Sequence, residues 1–509
     1  MLVKRSPGIA AILVSAMLGG SAAAHDPAHH ASQSVNGGLG VSHFSTSGSP
    51  QAQKHFLRGL LLLHSFEYAA ARNAFQASQH AEPGFAMAFW GEALTYNHTL
   101  WDEQDTAAAR AALARLGATP EQRLSRAPTA REREYLASVE QLYGAGDKPQ
   151  RDANYSSALG ALARRYPTDL DARSLYALSI IGLSGSTRNV ANYMRAAAEA
   201  EAVYEIDKHH PGALHYLIHA YDDPVHAPLG LRAARRYATE SPGAAHAQHM
   251  PSHIFFALGM WDDAIAANSA SLKVSRAEGD GGYHALLWLE YAYLQKNMRT
   301  QAEDLVRSVA HDVSASPSKE NRLRLAFARA TWLVETRGAD GPEANLAVDS
   351  SGITSFGYFA VHDFARGITA AAAGDSTAAR AALTQLHARC DTVRSSSTAV
   401  TAAWYDETSA GELAQAKAMA EALEGTIQFY DGRHDAGLEQ VQAAITATAH
   451  LEFEYGPPWS VKPLDELLGE LLLADGRRAA AAEAFQRALA SYPNRRLALE
   501  GLAAAKATP

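Results

Sequence analysis

One spacing of glycine, alanine, phenylalanine and proline occurs twice in this chain, and it restricts the possible folds more than any other feature. In each copy the four residues lie 12, 4 and 8 positions apart; the copies are Gly59, Ala71, Phe75 and Pro83, and Gly469, Ala481, Phe485 and Pro493. Around them, apolar residues recur with a helical period of 3.6, in stretches of about 10 to 16 residues separated by short turns. The chain is therefore predicted to form helical hairpins.

The spacing is that of the 34-residue tetratricopeptide repeat (TPR), in which a small residue lets two helices approach and proline begins the next unit. Weaker copies lie between the two clear ones, at Gly259–Ala264, Asn297–Ala302, Gly374–Ala379 and Gly425–Gly437. Such units bury their apolar faces only by stacking on neighbours. We expect an all-α, right-handed superhelix (solenoid) of TPR-like hairpins over residues 51–507, with a concave groove.

Four longer segments resemble a family of exported bacterial TPR proteins of unassigned function. They are "EPGFAMAFWGEALTYN", "HPGALHYLIHAYDDP", "HMPSHIFFALGMWDDAIAAN" and "PPWSVKPLDELLGELLLADGR", and the resemblance covers most of residues 50 to 505. The family usually has an "HNxHF"-like segment where this chain has "HALLW", so Ala285 and Leu287 replace its Asn and second His. The resemblance implies a TPR fold and export, and it implies no particular reaction.

The N-terminus has the pattern of a cleaved export signal. Lys4 and Arg5 precede an apolar run, and small residues at 22–24 suit a cleavage site, so residues 1–24 are predicted to be a signal peptide. Residues 25–50, rich in His, Ser and Gly, are expected to be a flexible leader. The product would be periplasmic or secreted, with no transmembrane segment after cleavage. The single cysteine, Cys390, excludes an intramolecular disulfide.

Charge and motifs exclude several classes of function. The formal net charge is -9, so a nucleic-acid partner is not expected, because phosphate binding needs a basic surface. No Gly-x-Ser-x-Gly nucleophile motif, phosphate-binding loop or dinucleotide fingerprint is present. No catalytic residue can be assigned on this basis.

Histidine is the residue type that indicates chemistry. Of 22 histidines, eight lie between residues 209 and 253. His215, His219 and Asp222 are spaced i, i+4 and i+7, which would place them on one helix face, and His-x3-His lets two imidazoles reach one metal ion. His249 and His253 repeat that spacing. We predict a site for a divalent transition metal (Zn, Fe or Cu) with His215, His219, Asp222, His249 and His253 as ligands.

Aligning the repeats brings further residues to the same groove. If Ala264 occupies position 20 of its repeat, then His246, His249 and His253 occupy groove positions 2, 5 and 9, and the next unit places His284 at position 2. We expect His246 and His284 to support the ligands from the groove. The segment "WGEALTYNHTLWDE" adds Asn97 and His98 as further supporting residues.

Two classes of function remain open from the sequence. One is a metal-dependent protein, either a hydrolase or an oxidase. The other is an exported scaffold whose groove binds a protein or peptide partner without catalysis, with the histidines as a hydrogen-bonded polar lining. His209, His210 and His226 lie in predicted turns and are interpreted as solvent-exposed or capping residues. An N-terminal His25, with His29 and His30, could also chelate copper after cleavage.

Overall fold

The computed structural model describes residues 37–185, 188–279, 281–338, 346–353, 357–395, 410–451 and 456–507. The predicted signal peptide and the histidines at 25, 29 and 30 lie outside these ranges. Within them, the chain is almost entirely helical, and the prediction of an all-α fold is confirmed.

The first eleven helices span residues 50–240. They are α1 (Pro50–His64), α2 (Tyr68–Ala81), α3 (Ala86–Leu94), α4 (Thr106–Ala114), α5 (Pro120–Leu124), α6 (Ala130–Leu142), α7 (Lys148–Arg165), α8 (Leu170–Gly182), α9 (Val190–Ile206), α10 (Pro211–Ala220) and α11 (Ala227–Glu240). The remaining helices continue to the C-terminus. They are α12 (Ala245–His249), α13 (Pro251–Ala257), α14 (Trp261–Ala277), α15 (Tyr283–Gln295), α16 (Arg299–Ala315), α17 (Lys319–Glu335), α18 (Gly357–Ala372), α19 (Ser376–Ser395), α20 (Ala410–Tyr430), α21 (His434–Thr448), α22 (Leu464–Ala474), α23 (Arg478–Ser491) and α24 (Arg496–Lys506).

Consecutive helices pack as antiparallel neighbours, as expected of stacked hairpins. In the described part of the chain, the only strands are β1 (Asn97–His98) and β2 (Glu103–Gln104), which pair antiparallel across the short 3-10 turn Thr99–Trp101. No helix among the described residues is both long and apolar enough to cross a bilayer.

The two clear repeats are held by the same wedge of phenylalanine between two glycines. A Cβ added to Gly59 would lie 2.7 Å from the Phe75 ring, and one added to Gly91 would lie 2.3 Å from it. Phe485 fills the corresponding space between Gly469 and Gly501, where the same distances are 2.9 and 2.3 Å. Both rings are fully buried. Glycine is therefore also required within the helix that follows each of these hairpins, at Gly91 and Gly501, which the spacing alone did not reveal.

This wedge predicts the effect of a single methyl group. Gly91→Ala should destabilise the protein by about 1–3 kcal/mol, because overpacking against the Phe75 ring outweighs the better helix propensity of alanine. The matched control is Gly84→Ala in the preceding turn, where an added Cβ meets nothing within 4 Å. Urea denaturation of both variants measures the difference. Equal midpoints for Gly91→Ala and the wild type would contradict the wedge.

The N-terminal half curls so that its first helix contacts its tenth. Residues 37–49, which the sequence assigns to the leader, lie along this junction: Gly243 donates its amide to the carbonyl of Gly38 at 2.7 Å, and Leu39 and Phe44 are buried. These are the large apolar side chains of the segment, and their burial fixes it. At the junction α1 packs on α10, where His64 contacts Tyr216. The surface expected to form an open groove is therefore interior here.

The C-terminal helices fold back onto the middle of the chain. Trp261 donates its indole N–H to the carbonyl of Asn494 at 2.9 Å. Arg495 is fully buried between Glu335 and Glu466, at 2.6 and 2.7 Å, and also donates to Tyr291. These contacts fix α15, which carries His284 at its N-terminal end.

Candidate metal centre

Six histidines on four short helical segments converge inside the curled N-terminal half. α10 supplies His215 and His219, α12 supplies His246 and His249, α13 supplies His253, and α15 supplies His284. Four of the side chains are buried, with relative exposures between 0 and 6 % for His215, His219, His249 and His253. His246 is partly buried, and His284 is exposed at the edge of the cluster.

The six histidines form two groups of three. In the first triad, His215, His219 and His246, potential ligand atoms all lie within 4.8 Å of one another. The Nε2 atoms of His215 and His219 are 3.0 Å apart. The ring of Phe66 covers this triad, with its centroid 4.3 Å from that of His215. The Nε2 atom of His246 is buried, and it has no hydrogen-bond partner among the described residues.

The second triad is His249, His253 and His284, whose potential ligand atoms also lie within 4.8 Å of one another. The Nε2 atoms of His249 and His253 are 3.1 Å apart. The helix breaks between these two residues at Pro251, which begins α13, so the pair spans two helices rather than one. Trp288 packs against both rings, with centroid distances of 4.9 and 4.5 Å.

Acceptors behind three of the rings determine which nitrogen carries the proton. The Nδ1 atom of His215 lies 2.6 Å from the backbone carbonyl of His64. A carbonyl can only accept, so Nδ1 of neutral His215 bears the hydrogen, and its Nε2 presents a lone pair to the first triad. Metal-binding histidines are oriented in this way by an acceptor behind the ring.

Both members of the His249–His253 pair are oriented in the same way. Nδ1 of His249 lies 2.6 Å from Oδ1 of Asn268, whose amide nitrogen donates to the carbonyl of Ala264 at 2.9 Å and so fixes the amide orientation. Nδ1 of His253 lies 2.5 Å from a carboxylate oxygen of Asp222. Both Nδ1 atoms therefore donate, and two Nε2 lone pairs face each other at 3.1 Å.

Two facing lone pairs repel unless a cation lies between them. Imidazole nitrogens at the usual zinc distance of about 2.0–2.1 Å, with angles of about 90–110° at the metal, are roughly 2.9–3.4 Å apart. The Nε2 separations of 3.0 and 3.1 Å in the two triads fall within that interval. The arrangement suits a shared metal ion in each triad.

Burial favours the neutral form, which is the form that binds metal, at His215, His219, His246 and His249. Desolvation by burial lowers the pKa of His215 to about 3, against an ordinary value near 6.5, although the His64 carbonyl opposes the shift. Burial, reinforced by neighbouring histidines, holds the pKa values of His219, His246 and His249 well below that ordinary value.

A third group, His64, Asp171 and His210, satisfies the same distance criterion but is explained without a metal. Nδ1 of His210 accepts the amide of Ala213 at 3.2 Å, so its Nε2 bears hydrogen and lies 3.4 Å from Asp171. Nε2 of His64 lies 3.0 Å from the same carboxylate oxygen, and its Nδ1 can accept from Tyr216 at 2.9 Å. His64 is therefore hydrogen-bonded through both nitrogens, and the Asp171 carboxylate lies against both histidines, so this group is explained as a structural network.

The structure separates the predicted ligands in a way that the sequence does not indicate. α10 ends at Ala220, so Asp222 lies beyond the helix and off the face shared by His215 and His219. It lies behind His253 instead, where a carboxylate would orient a ligand rather than bind an ion. His246 and His284, expected as supporting residues, lie within the triads themselves.

Asn97 and His98 lie near the triads but outside them. His98 stacks on Tyr68 at 4.1 Å between centroids and contacts Glu103 through Nδ1 at 3.2 Å. Asn97 accepts a hydrogen bond from Gln104 at 2.9 Å within the β1–β2 hairpin. Trp101 lies between this hairpin and the first triad, with its centroid 6.5 Å from that of His246.

The interpretation of three other histidines as exposed or capping residues is partly wrong. His210 does cap α10 through the Ala213 amide, but it is buried at 3 % exposure because α1 covers that helix end. His209 is partly exposed and contacts Glu240, and His226 is half-buried against Asp223. Sequence reasoning also missed His64 and Asn268, which orient ligands from distant or neighbouring helices; their helical positions gave no signal for this role.

Comparisons with known proteins identify a type of fold and no family. No described protein family and no curated protein matches the sequence. Among solved structures, the chain is similar to Ypp1, with 9 % identity over 89 % of this chain and 85 % of that one, at a TM-score of 0.44. It is similar to yeast Tom70, with 9 % identity over 90 % of this chain and 88 % of that one, at a TM-score of 0.34. It is also similar to the TPR domain of P58(IPK), with 12 % identity over 89 % of this chain and 97 % of that one, at a TM-score of 0.23.

These likenesses are too distant to carry an argument about function. What they share with this chain is a TPR-like arrangement of helical repeats, which agrees with the glycine and phenylalanine packing described above. The chain is a TPR-like helical repeat protein.

Proposed function

We propose that this protein binds transition-metal ions in two all-histidine sites, one formed by His215, His219 and His246 and the other by His249, His253 and His284. The observation that carries the proposal is the His249–His253 pair. Its two Nε2 lone pairs face each other at 3.1 Å, while both Nδ1 atoms donate to acceptors behind the rings. When both rings are neutral, which is the form that binds metal, a metal cation between those lone pairs reconciles the geometry.

The donor set indicates which metals fit. Imidazole suits Zn, Cu and Fe, whereas Mg and Ca prefer oxygen ligands. Asp222 acts behind His253, which fixes the ring and raises its basicity as a ligand. Three protein ligands also leave a coordination position open on each ion, as in catalytic rather than structural zinc sites. That open position would let the protein act as a metal-dependent hydrolase or oxidase.

Export and the bacterial family resemblance belong to the same proposal. The N-terminal sequence pattern supports delivery to the periplasm or the exterior, where metal supply differs from that of the cytosol. The alternative, a scaffold that binds a protein or peptide partner, is favoured by the TPR-like fold itself. It is less compatible with the burial of four of the six imidazoles, because buried side chains cannot contact a peptide.

Metal titration of variants tests this function. Metal-free wild type, followed by equilibrium dialysis against Zn²⁺ with elemental analysis, should bind two ions per chain. His219→Ala and His253→Ala should each bind one, because each removes a ligand from one triad. Helicity should be retained, since alanine favours helix. Asp222→Asn should keep the second ion but weaken its binding by about 10–100-fold, as expected for loss of an orienting carboxylate.

The matched control is His209→Ala, whose side chain is partly exposed and contacts Glu240 outside both triads. It should bind two ions with unchanged affinity. Equal binding by the wild type, His219→Ala and His253→Ala would refute the assignment of the triads, and no binding by the wild type would favour the scaffold.

A further inference from the structure

We infer that the two triads form a single dinuclear copper centre whose ions are joined by a small oxygen anion of the hydroxide class. This inference rests on the proposed function. The inference goes beyond the proposed function by specifying the metal, the coupling between the two sites and the ligand that completes their coordination.

The two triads are neighbours rather than separate sites on a long solenoid. His219 of the first triad lies 5.8 Å from His253 of the second, measured between ring centroids, and His246 lies 6.2 Å from His249. These separations are comparable to those within a triad, where His215 and His246 are 5.1 Å apart and His253 and His284 are 6.4 Å apart. Ions held in the two triads would therefore be bound within one continuous cluster of imidazoles.

The charge of the pocket favours copper. All six side chains of the triads are imidazoles; Asp222 is bonded to Nδ1 of His253, and Glu67 accepts from the backbone amide of His246 rather than from its ring. Repulsion between two monovalent ions is about one quarter of that between two divalent ions at the same distance. Copper can enter as Cu(I), with the lower charge, and as Cu(II) it has the highest affinity of the common divalent ions for nitrogen ligands.

A bridging anion follows from the same charge argument. When both ions are divalent, the neutral imidazoles provide no compensation between them, and the surrounding side chains Phe66, Trp288 and Tyr237 are uncharged. A water molecule bound between two cations loses a proton readily, because the ions stabilise the hydroxide. The proton leaves to solvent, the hydroxide retains the electron pair, and each copper gains the ligand that its three imidazoles leave open.

The surroundings limit the bridging ligand to a small one. Phe66 covers the first triad, and Trp288 lies across His249 and His253. Gly456 packs against Trp288 so closely that an added Cβ would lie 2.3 Å from the indole ring. Rings packed this closely exclude a peptide from the histidines they cover.

Electron paramagnetic resonance of the full-length protein tests the inference. Metal-free protein is loaded with Cu(II), its copper content is measured, and the unpaired spins are counted. Two coppers joined by a hydroxide should couple, so the wild type should contain two coppers per chain and show far fewer than two spins. His219→Ala and His253→Ala should each contain one copper and one full spin, because a lone Cu(II) has no partner.

The outcomes separate this inference from the proposed function. Two coppers with two full spins would overturn the coupled centre while leaving two metal sites in place. Two zinc ions bound without any copper binding would overturn the choice of copper. A wild type that binds neither metal would overturn both proposals. The control His209→Ala should match the wild type in copper content and spin count.

Discussion

Metal-free protein is expected to lose stability steeply as the pH falls below 6.5. Burial lowers the pKa values of seven histidines, namely His64, His215, His219, His246, His249, His284 and His362. In the unfolded chain these imidazoles take up protons near their ordinary pKa of about 6.5. In the folded protein they stay neutral to lower pH, down to about 3 for His215.

The sign of the effect follows from proton uptake. Above pH 6.5 both states are neutral at these positions, and the histidines contribute no pH dependence. Below it the unfolded state binds more protons than the folded state, so the free energy of unfolding falls with pH. Each such histidine contributes at most about 1.4 kcal/mol per pH unit, reached where its unfolded form is charged and its folded form is neutral, so together they give a slope of several kcal/mol per unit. Typical domain stabilities of about 5–15 kcal/mol would be lost within one or two pH units.

Urea denaturation of the metal-free protein at pH 7.5, 6.5 and 5.5 measures this slope. His219→Asn should reduce it by up to about 1.4 kcal/mol per pH unit, because one of these groups no longer titrates. His209→Asn, at a partly exposed position that contacts Glu240, is the matched control and should keep the wild-type slope. Stability that stayed constant between pH 7.5 and 5.5 would show that the histidines are not buried as described.

Bound metal should stabilise the protein by an amount that rivals its intrinsic stability. An ion that binds only the folded state adds about 4 kcal/mol when its free concentration is 1,000 times its dissociation constant. Two such sites would add about 8 kcal/mol. The gain should disappear as acid protonates the ligands, since metal competes with protons for the same Nε2 atoms.

Thermal unfolding at pH 7.5 before and after prolonged chelation measures this gain. The melting temperature of the wild type should fall on chelation and recover when Zn²⁺ is returned. The double variant His219→Ala/His253→Ala should melt at one temperature under both conditions, because each triad lacks a ligand. A wild-type melting temperature insensitive to chelation and to added metal would contradict a stabilising site.

The hairpin architecture could be predicted from the sequence because the constraint is local. The phenylalanine lies 16 residues after the glycine in both clear repeats, as Phe75 after Gly59 and Phe485 after Gly469. A single helix–turn–helix hairpin brings the two residues together in each repeat. The curl of the N-terminal half could not be predicted in the same way. It depends on contacts such as His64 with Tyr216, which are 152 residues apart and follow no repeat spacing.

The pairing of histidines within the cluster could be predicted from the sequence, whereas the division of the cluster into two triads could not. His215 with His219, and His249 with His253, follow from i, i+4 spacing, which survives even the helix break at Pro251. The division into two triads does not follow, because it depends on where helices end. Asp222 illustrates this point: one residue beyond the C-cap of α10, it turns to His253 rather than sharing a face with His219.

Anomalous X-ray scattering tests the central claim most directly. Crystals of the untagged protein, grown with Zn²⁺ and measured on both sides of the zinc absorption edge, locate each ion independently of its effect on stability. We predict two anomalous peaks, one about 2 Å from Nε2 of His215 and His219 and the other about 2 Å from Nε2 of His249 and His253. Peaks only at surface histidines, or none in a crystal whose triads are well ordered, would contradict the assignment of this interior as a metal centre.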